Sequence, residues 1–130
     1  MDKILLVEDE RLISDVMARF LQQKGFHVDT AYTLQEGLDK YSTDHIVVLL
    51  DIALGNETSF PLLKKIKEEN PKTIVIMVSG RSSEENIREA TKLGADAFVS
   101  KPFKREYLEY VILSKIRAAQ KEQTGGADSQ

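Results

Sequence analysis

A chain of 130 residues, 42% of them hydrophobic, is the size of one ordinary domain and can bury a single core. Its formal net charge of −3 and pI near 5.4 supply no positive field for a phosphate backbone, which argues against nucleic acid as a direct partner. The absence of cysteine excludes both a disulfide framework and a thiolate metal site.

Ile4 to Val7 is a continuous apolar run, the pattern of a strand covered on both faces. It is too short for a signal peptide and runs straight into Glu8, Asp9 and Glu10. Leu12, Ile13, Val16, Met17, Phe20 and Leu21 then recur at helical spacing, with Gly25 as the stop. His27 to Ala31 alternates polar and apolar residues and reads as a weaker strand. Thr33 with Glu36 fits a capping box that opens a second helix. Ile46 to Leu50 is another buried strand, followed by a helix from about Phe60 to Glu69 that ends at Asn70 and Pro71. Ile74 to Val78 repeats the buried-strand pattern. Ser82 with Glu85 fits a second capping box, and the helix from Ser83 to Leu93 closes at Gly94. Ala97 to Ser100 is a short strand before Lys101 and Pro102. The last helix starts near Lys104, with Leu108, Val111, Ile112, Lys115 and Ile116 on its inner side. From about Ala118 this pattern stops, which divides the chain into a folded unit over 1–118 and a flexible polar tail or linker over 119–130. That segment either leads to an output domain or ends the protein. No stretch approaches membrane-spanning length.

Five strands alternating with five helices require crossover connections, hence a mostly parallel sheet with helices on both faces. Binding sites in such sheets form at the carboxyl ends of the strands. Glu8 and Asp9, then Asp51, then Ser79 and Gly80, then Lys101 and Pro102 all fall at that edge. Three carboxylates gathered there repel one another unless a cation lies among them, and Mg2+ suits such an oxygen donor set. Taken singly, Glu8 and Asp9 also read as acids favoured at a helix N-terminus, and Asp51 as the start of a turn. Asp51, however, directly follows Ile-Val-Val-Leu-Leu, where an unpaired carboxylate is costly. Metal or Lys101 can balance it and leave one oxygen free as a nucleophile of the aspartyl-phosphate kind, with Ser79 and Lys101 on the phosphoryl oxygens.

These residues resemble the receiver domain of bacterial two-component response regulators, from Lys3 to about Arg117. Leu-Leu-Val-Glu-Asp-Glu at 5–10 is similar to the family's acidic pair, Asp51 to its phosphoacceptor and Ser79-Gly80 to its hydroxyl position. Gly94-Ala-Asp-Ala-Phe-Val-Ser-Lys-Pro-Phe103 is similar to its closing signature. The resemblance implies an α/β flavodoxin-like, doubly wound five-stranded sheet of order 2-1-3-4-5. It also implies Mg2+ held by Asp9, Asp51 and the Ala53 carbonyl, with Glu8 acting through water, and a cis Lys101–Pro102 bond. No other cofactor is expected. Phosphate would come from a sensor histidine kinase or a histidine phosphotransfer protein, and Ser79 with Phe98 would form the switch. The role implied is that of a cytoplasmic signalling domain with at most slow self-dephosphorylation, not an enzyme with turnover. Ala53 and Arg81 flank the expected phosphoryl position and are expected to tune its lifetime, Arg81 by shielding it from water.

Two positions depart from the family pattern. Gly55 stands where proline is usual and Ser59 where glycine is, which predicts a looser loop after the third strand. Tyr107, Tyr110 and Leu113 form a second stripe on the last helix. With Ile87, Arg88 and Thr91 they outline either peripheral packing or a face for a second copy or an output partner. His27 and His45 lack further ligands at metal spacing and read as structural or surface residues. The rivals are an aspartate-nucleophile phosphatase, which commonly needs an acid where Ala53 stands, a flavin or nucleotide domain, which needs a phosphate loop, and a receiver-like interaction module that is never phosphorylated.

Overall fold

The computed structural model describes residues 2–80 and 83–128. In chain order its elements are β1 (Lys3–Val7), α1 (Arg11–Gln23), β2 (His27–Ala31), α2 (Leu34–Lys40), β3 (His45–Asp51), β4 (Ala53–Leu54), β5 (Glu57–Thr58), α3 (Phe60–Glu69), β6 (Ile74–Ser79), α4 (Glu84–Lys92), β7 (Ala97–Ser100) and α5 (Arg105–Asp128). Five strands pair in parallel in the order β2-β1-β3-β6-β7. This is the expected 2-1-3-4-5 sheet, with β6 and β7 as its fourth and fifth strands.

The continuous apolar runs occupy the three central strands because both of their faces are covered. Successive side chains point to opposite sides of a strand, so each run feeds two cores. Ile4, Leu6, Val47, Leu49, Ile76 and Val78 join Met17, Phe20 and Leu21 of α1 and Leu108, Val111 and Ile112 of α5. Leu5, Val7, Val48, Leu50, Val75 and Met77 join Leu62, Leu63 and Ile66 of α3 and Ala90 of α4. Each fully buried leucine or isoleucine contributes about 2 kcal/mol by leaving water.

The second core leaves no room beside α2. A Cβ added to Gly37 would lie 2.7 Å from Cδ2 of the fully buried Leu62. Gly37→Ala therefore sets an overpacking cost of about 1–3 kcal/mol against a gain in helix propensity of about 1 kcal/mol. A net loss of about 1 kcal/mol is expected in urea denaturation; a stabilised variant would show that α2 shifts freely on the sheet.

Helix ends follow local chemistry. Thr33 Oγ1 accepts from Glu36 N–H at 3.0 Å, while Glu36 Oε1 reaches back to Tyr32 N–H at 2.9 Å. The predicted Ser82 cap lies outside the described residues, and α4 is capped by Ser83, whose Oγ accepts from Asn86 N–H at 3.1 Å. The largest difference from the sequence reading is in α5, which continues past Ala118 to Asp128. Ala118, Ala119, Gln120, Lys121 and Glu122 are strong helix formers and carry the helix past Ala118 without an apolar stripe, whereas propensity does not explain its passage through Gly125 and Gly126.

Both histidines are structural or surface groups, as expected. His45 is buried at the start of β3; its Nδ1 accepts from Ser42 N–H at 3.1 Å and its Nε2 lies 2.8 Å from Asp29 Oδ2. His27 is exposed, 3.3 Å from Asp29 Oδ1. The hydrogen bond from His45 holds the Asp29 carboxyl below its ordinary value of 3.8. A carboxyl depressed by folding stabilises fully above that ordinary value and loses its contribution as pH falls through the depressed one. Asp29→Asn is expected to flatten the acid side of the stability curve; an unaltered slope in denaturation between neutral and acid pH would refute this.

At the amino ends of the strands, Lys67 Nζ donates to Pro71 O at 3.1 Å, Thr73 O at 2.6 Å and Asp96 Oδ2 at 2.8 Å. Asp96 Oδ2 also accepts from Val75 N–H at 2.8 Å, and Asp96 N–H donates to Val75 O at 2.8 Å.

Candidate functional site

The parallel sheet carries its polar residues at the carboxyl edge because each buried strand must end where a charge can find a partner. Glu8 follows β1, Asp51 ends β3, Ser79 ends β6 and Lys101 follows β7. Glu8 N–H donates to Ala31 O at 3.0 Å and Lys101 N–H to Ser79 O at 2.8 Å, which fixes both residues to neighbouring strands.

Lys101 is the centre of the charge arrangement. Its Nζ donates to Glu8 Oε1 and to Asp51 Oδ2, the latter at 2.8 Å. The three side chains are 15%, 2% and 10% exposed, so the cluster is largely withdrawn from water. Burial pushes the Glu8 carboxyl up, and the hydrogen bonds from Lys101 and from Glu10 N–H only partly oppose it. Burial also pulls the Lys101 ammonium down, but its bonds to Asp51 and Glu8 outweigh this and leave it raised.

Asp9 is exposed and stands on the open side of the cluster. Glu8, Asp9 and Asp51 each offer one carboxylate oxygen, and these oxygens lie within 4.8 Å of one another. A set of hard oxygen donors of that size fits a divalent ion such as Mg2+.

The loop between β3 and α3, where the sequence suggested greater freedom, contains a short hairpin. Ala53 pairs with Thr58 and Leu54 with Glu57, forming the antiparallel β4–β5 hairpin around Gly55 and Asn56. Gly55 has φ +62°, while Asn56 is not in the positive-φ region. Positive φ at the first central residue alone is the type II′ pattern, which favours glycine. Proline, locked near φ −65°, cannot occupy it. Two amides of the segment reach the acids: Ala53 N–H donates to Asp51 Oδ1 at 3.3 Å and Gly55 N–H to Asp9 Oδ2 at 2.9 Å. Ser59 N–H closes the base on Ile52 O at 2.8 Å, while its buried hydroxyl has no hydrogen-bond partner among the described residues. The Gly-Asn pair was the available hairpin signal, but two-residue strands carry no alternation to support it.

The sequence-predicted residues fall into three groups. Glu8, Asp9, Asp51 and Lys101 come together, with Ala53 attached through its amide. Ser79 is buried on the adjacent strand, and Phe98 is half-buried in the second core, its Cα paired with Met77. Arg81 lies outside the described residues. The Lys101–Pro102 peptide is cis.

A model of the response regulator receiver domain family matches residues 4–113. The chain belongs to that family. It is 33% identical over 116 residues to the transcriptional regulatory protein DltR of Streptococcus agalactiae serotype III (strain NEM316), covering 88% of this chain and 50% of that protein. It is 32% identical over 118 residues to the transcriptional regulatory protein CpxR of Escherichia coli K12, covering 91% and 49%. This receiver domain thus spans about half the length of those curated relatives. Among solved structures, a CheY-like receiver domain protein from Methanospirillum hungatei JF-1 superimposes with a TM-score of 0.89 at 33% identity, covering 94% of this chain and 98% of that one.

Receiver domains are signalling domains of two-component systems, which sets the function class. Beside the acid cluster lies an apolar groove of about 670 Å³ lined by Leu12, Val16, Phe20, Lys101, Phe103 and Leu108. Leu12 is 81% exposed and Val16 54%. On another face, Ile87, Arg88, Tyr107 and Tyr110 are exposed. No helix among the described residues is long and apolar enough to cross a membrane.

Proposed function

We propose that this receiver domain accepts a phosphoryl group on Asp51 from the phosphohistidine of a sensor kinase or phosphotransfer protein, and that the added charge alters partner binding. The observation that carries this reading is the pairing of Asp51 Oδ2 with Lys101 at the end of a buried strand, two acids beside it. A carboxylate oxygen of Asp51 attacks phosphorus as the phosphorus–nitrogen bond to the donor histidine breaks, giving an acyl phosphate. Lys101 and the Ser79 hydroxyl then bind phosphoryl oxygens, with no catalytic turnover beyond slow self-dephosphorylation. Glu8, Asp9, Asp51 and the Ala53 carbonyl would hold Mg2+, which would supply positive charge beside the transferring group.

A phosphoryl group brings about −1.5 to −2 charges, enough to bias a two-state element through new charge-assisted hydrogen bonds. Ser79 and Phe98 form that element, and Arg81 with Ala53 tunes how long the acyl phosphate lasts. The groove of α1 suits an apolar helix of the phosphoryl donor, because Lys101 both lines it and touches Asp51. The exposed face of α4 and α5 serves a second copy or an output partner. The receiver unit spans 1–118, residues 119–130 connect or trail it, and the protein works in the cytoplasm. Ala53, in place of a second acid, disfavours the phosphatase alternative. The test is incubation with acetyl phosphate, with and without Mg2+, and location of the added mass by peptide mass spectrometry: modification confined to Asp51 and dependent on Mg2+ is expected, and modification elsewhere refutes the assignment.

A further inference from the structure

We infer that the backbone amide of Gly55 is a positioning group that orients Asp9 for the divalent ion, an assignment that rests on the metal site proposed above. Glu8 and Asp51 are buried and held by Lys101, whereas Asp9 is exposed and has no salt bridge among the described residues. What holds it is the 2.9 Å hydrogen bond from Gly55 N–H to Oδ2, 46 positions along the chain. An exposed carboxylate otherwise samples several rotamers, and immobilising such a side chain on binding costs about 0.5–1.5 kcal/mol. The hairpin takes on that cost before the ion arrives.

Two properties of residue 55 make the contact. Its φ of +62° closes the turn that sets this peptide beside Asp9, and its nitrogen carries a hydrogen. Proline, usual at this position in the family, meets neither condition. The departure that suggested a looser loop thus supplies a donor to a metal ligand. Because Ala53 N–H also donates to Asp51 Oδ1, the β4–β5 segment presents amides to two of the three acids.

The test uses Mn2+ as the probe, followed by water-proton relaxation, on the whole chain and two variants. Gly55→Asn keeps the N–H and is among the side chains that best tolerate positive φ; it is expected to bind within about twofold of the parent. Gly55→Pro lacks the N–H and is expected to bind about fivefold more weakly, the effect of freeing one side chain. Equal or tighter binding by Gly55→Pro overturns the proposal, as does an Asn variant weakened as much as the Pro variant. A parent chain that does not respond to Mn2+ overturns the metal reading together with this one, whereas a responding parent matched by Gly55→Pro overturns this one alone. A second arm needs neither metal nor the proline variant. Gly55 amide exchange, read by NMR, is expected to accelerate several-fold in Asp9→Ala, and an unchanged rate refutes the contact.

Discussion

Asp51→Asn is expected to abolish phosphoryl incorporation from acetyl phosphate while leaving a cooperatively folded chain. The substitution keeps side-chain shape and an oxygen that can accept from Lys101, but it removes the anionic nucleophile on which acyl phosphate formation depends. Folding should survive because the Leu49 and Leu50 contacts are untouched and Lys101 retains Glu8 as its counter-charge. Incorporation into Asp51→Asn at the parent's rate, read by intact mass in the presence of Mg2+, would show that another group is the acceptor.

Lys101→Ala is expected to destabilise the metal-free protein by about 3 kcal/mol, because it strands two buried carboxylates that share one cation. Side-chain exposures of 2% for Glu8 and 10% for Asp51 leave little water to screen their repulsion. Mg2+ should restore part of the loss, since a cation among Glu8, Asp9 and Asp51 relieves the same repulsion. Urea denaturation in chelator and in Mg2+ measures both effects. A variant as stable as the parent in chelator would mean that the acids are protonated or hydrated in its absence, and the charge account of this edge would fall.

The architecture could be read from the chain because its signals were of the strongest kind. Ile46 to Leu50 and Ile74 to Val78 are short, apolar throughout and rich in β-branched residues, as strands covered on both faces are, and His27–Ala31 and Phe60–Glu69 fall at the boundaries their patterns indicated. The acid set was legible for a related reason, since a charge directly after a buried strand demands a partner. Three features were not. The exposure of Leu12 and Val16 depends on how α1 sits against α5, and periodicity alone gives a face without saying what covers it. The run of α5 past Ala118 rests on the helix propensity of Ala118 to Glu122, which leaves no apolar periodicity to read. The β4–β5 hairpin turns on the backbone dihedral of Gly55 and on an amide reaching Asp9, and backbone donors leave no trace in side-chain patterning.

The bond set around Lys67 bears on where this protein can be altered. One ammonium ties the loop after α3, through Pro71 and Thr73, to Asp96, and Asp96 is stitched by two further bonds to Val75. That clasp lies at the end of the sheet remote from Asp51. Thermostabilising substitutions and reporter grafts would therefore be best confined to the clasped end, where they can stiffen or extend the scaffold without touching the signalling chemistry. The opposite rim carries the charge cluster and the amides that hold its acids, and it is the poorer place to cut or insert.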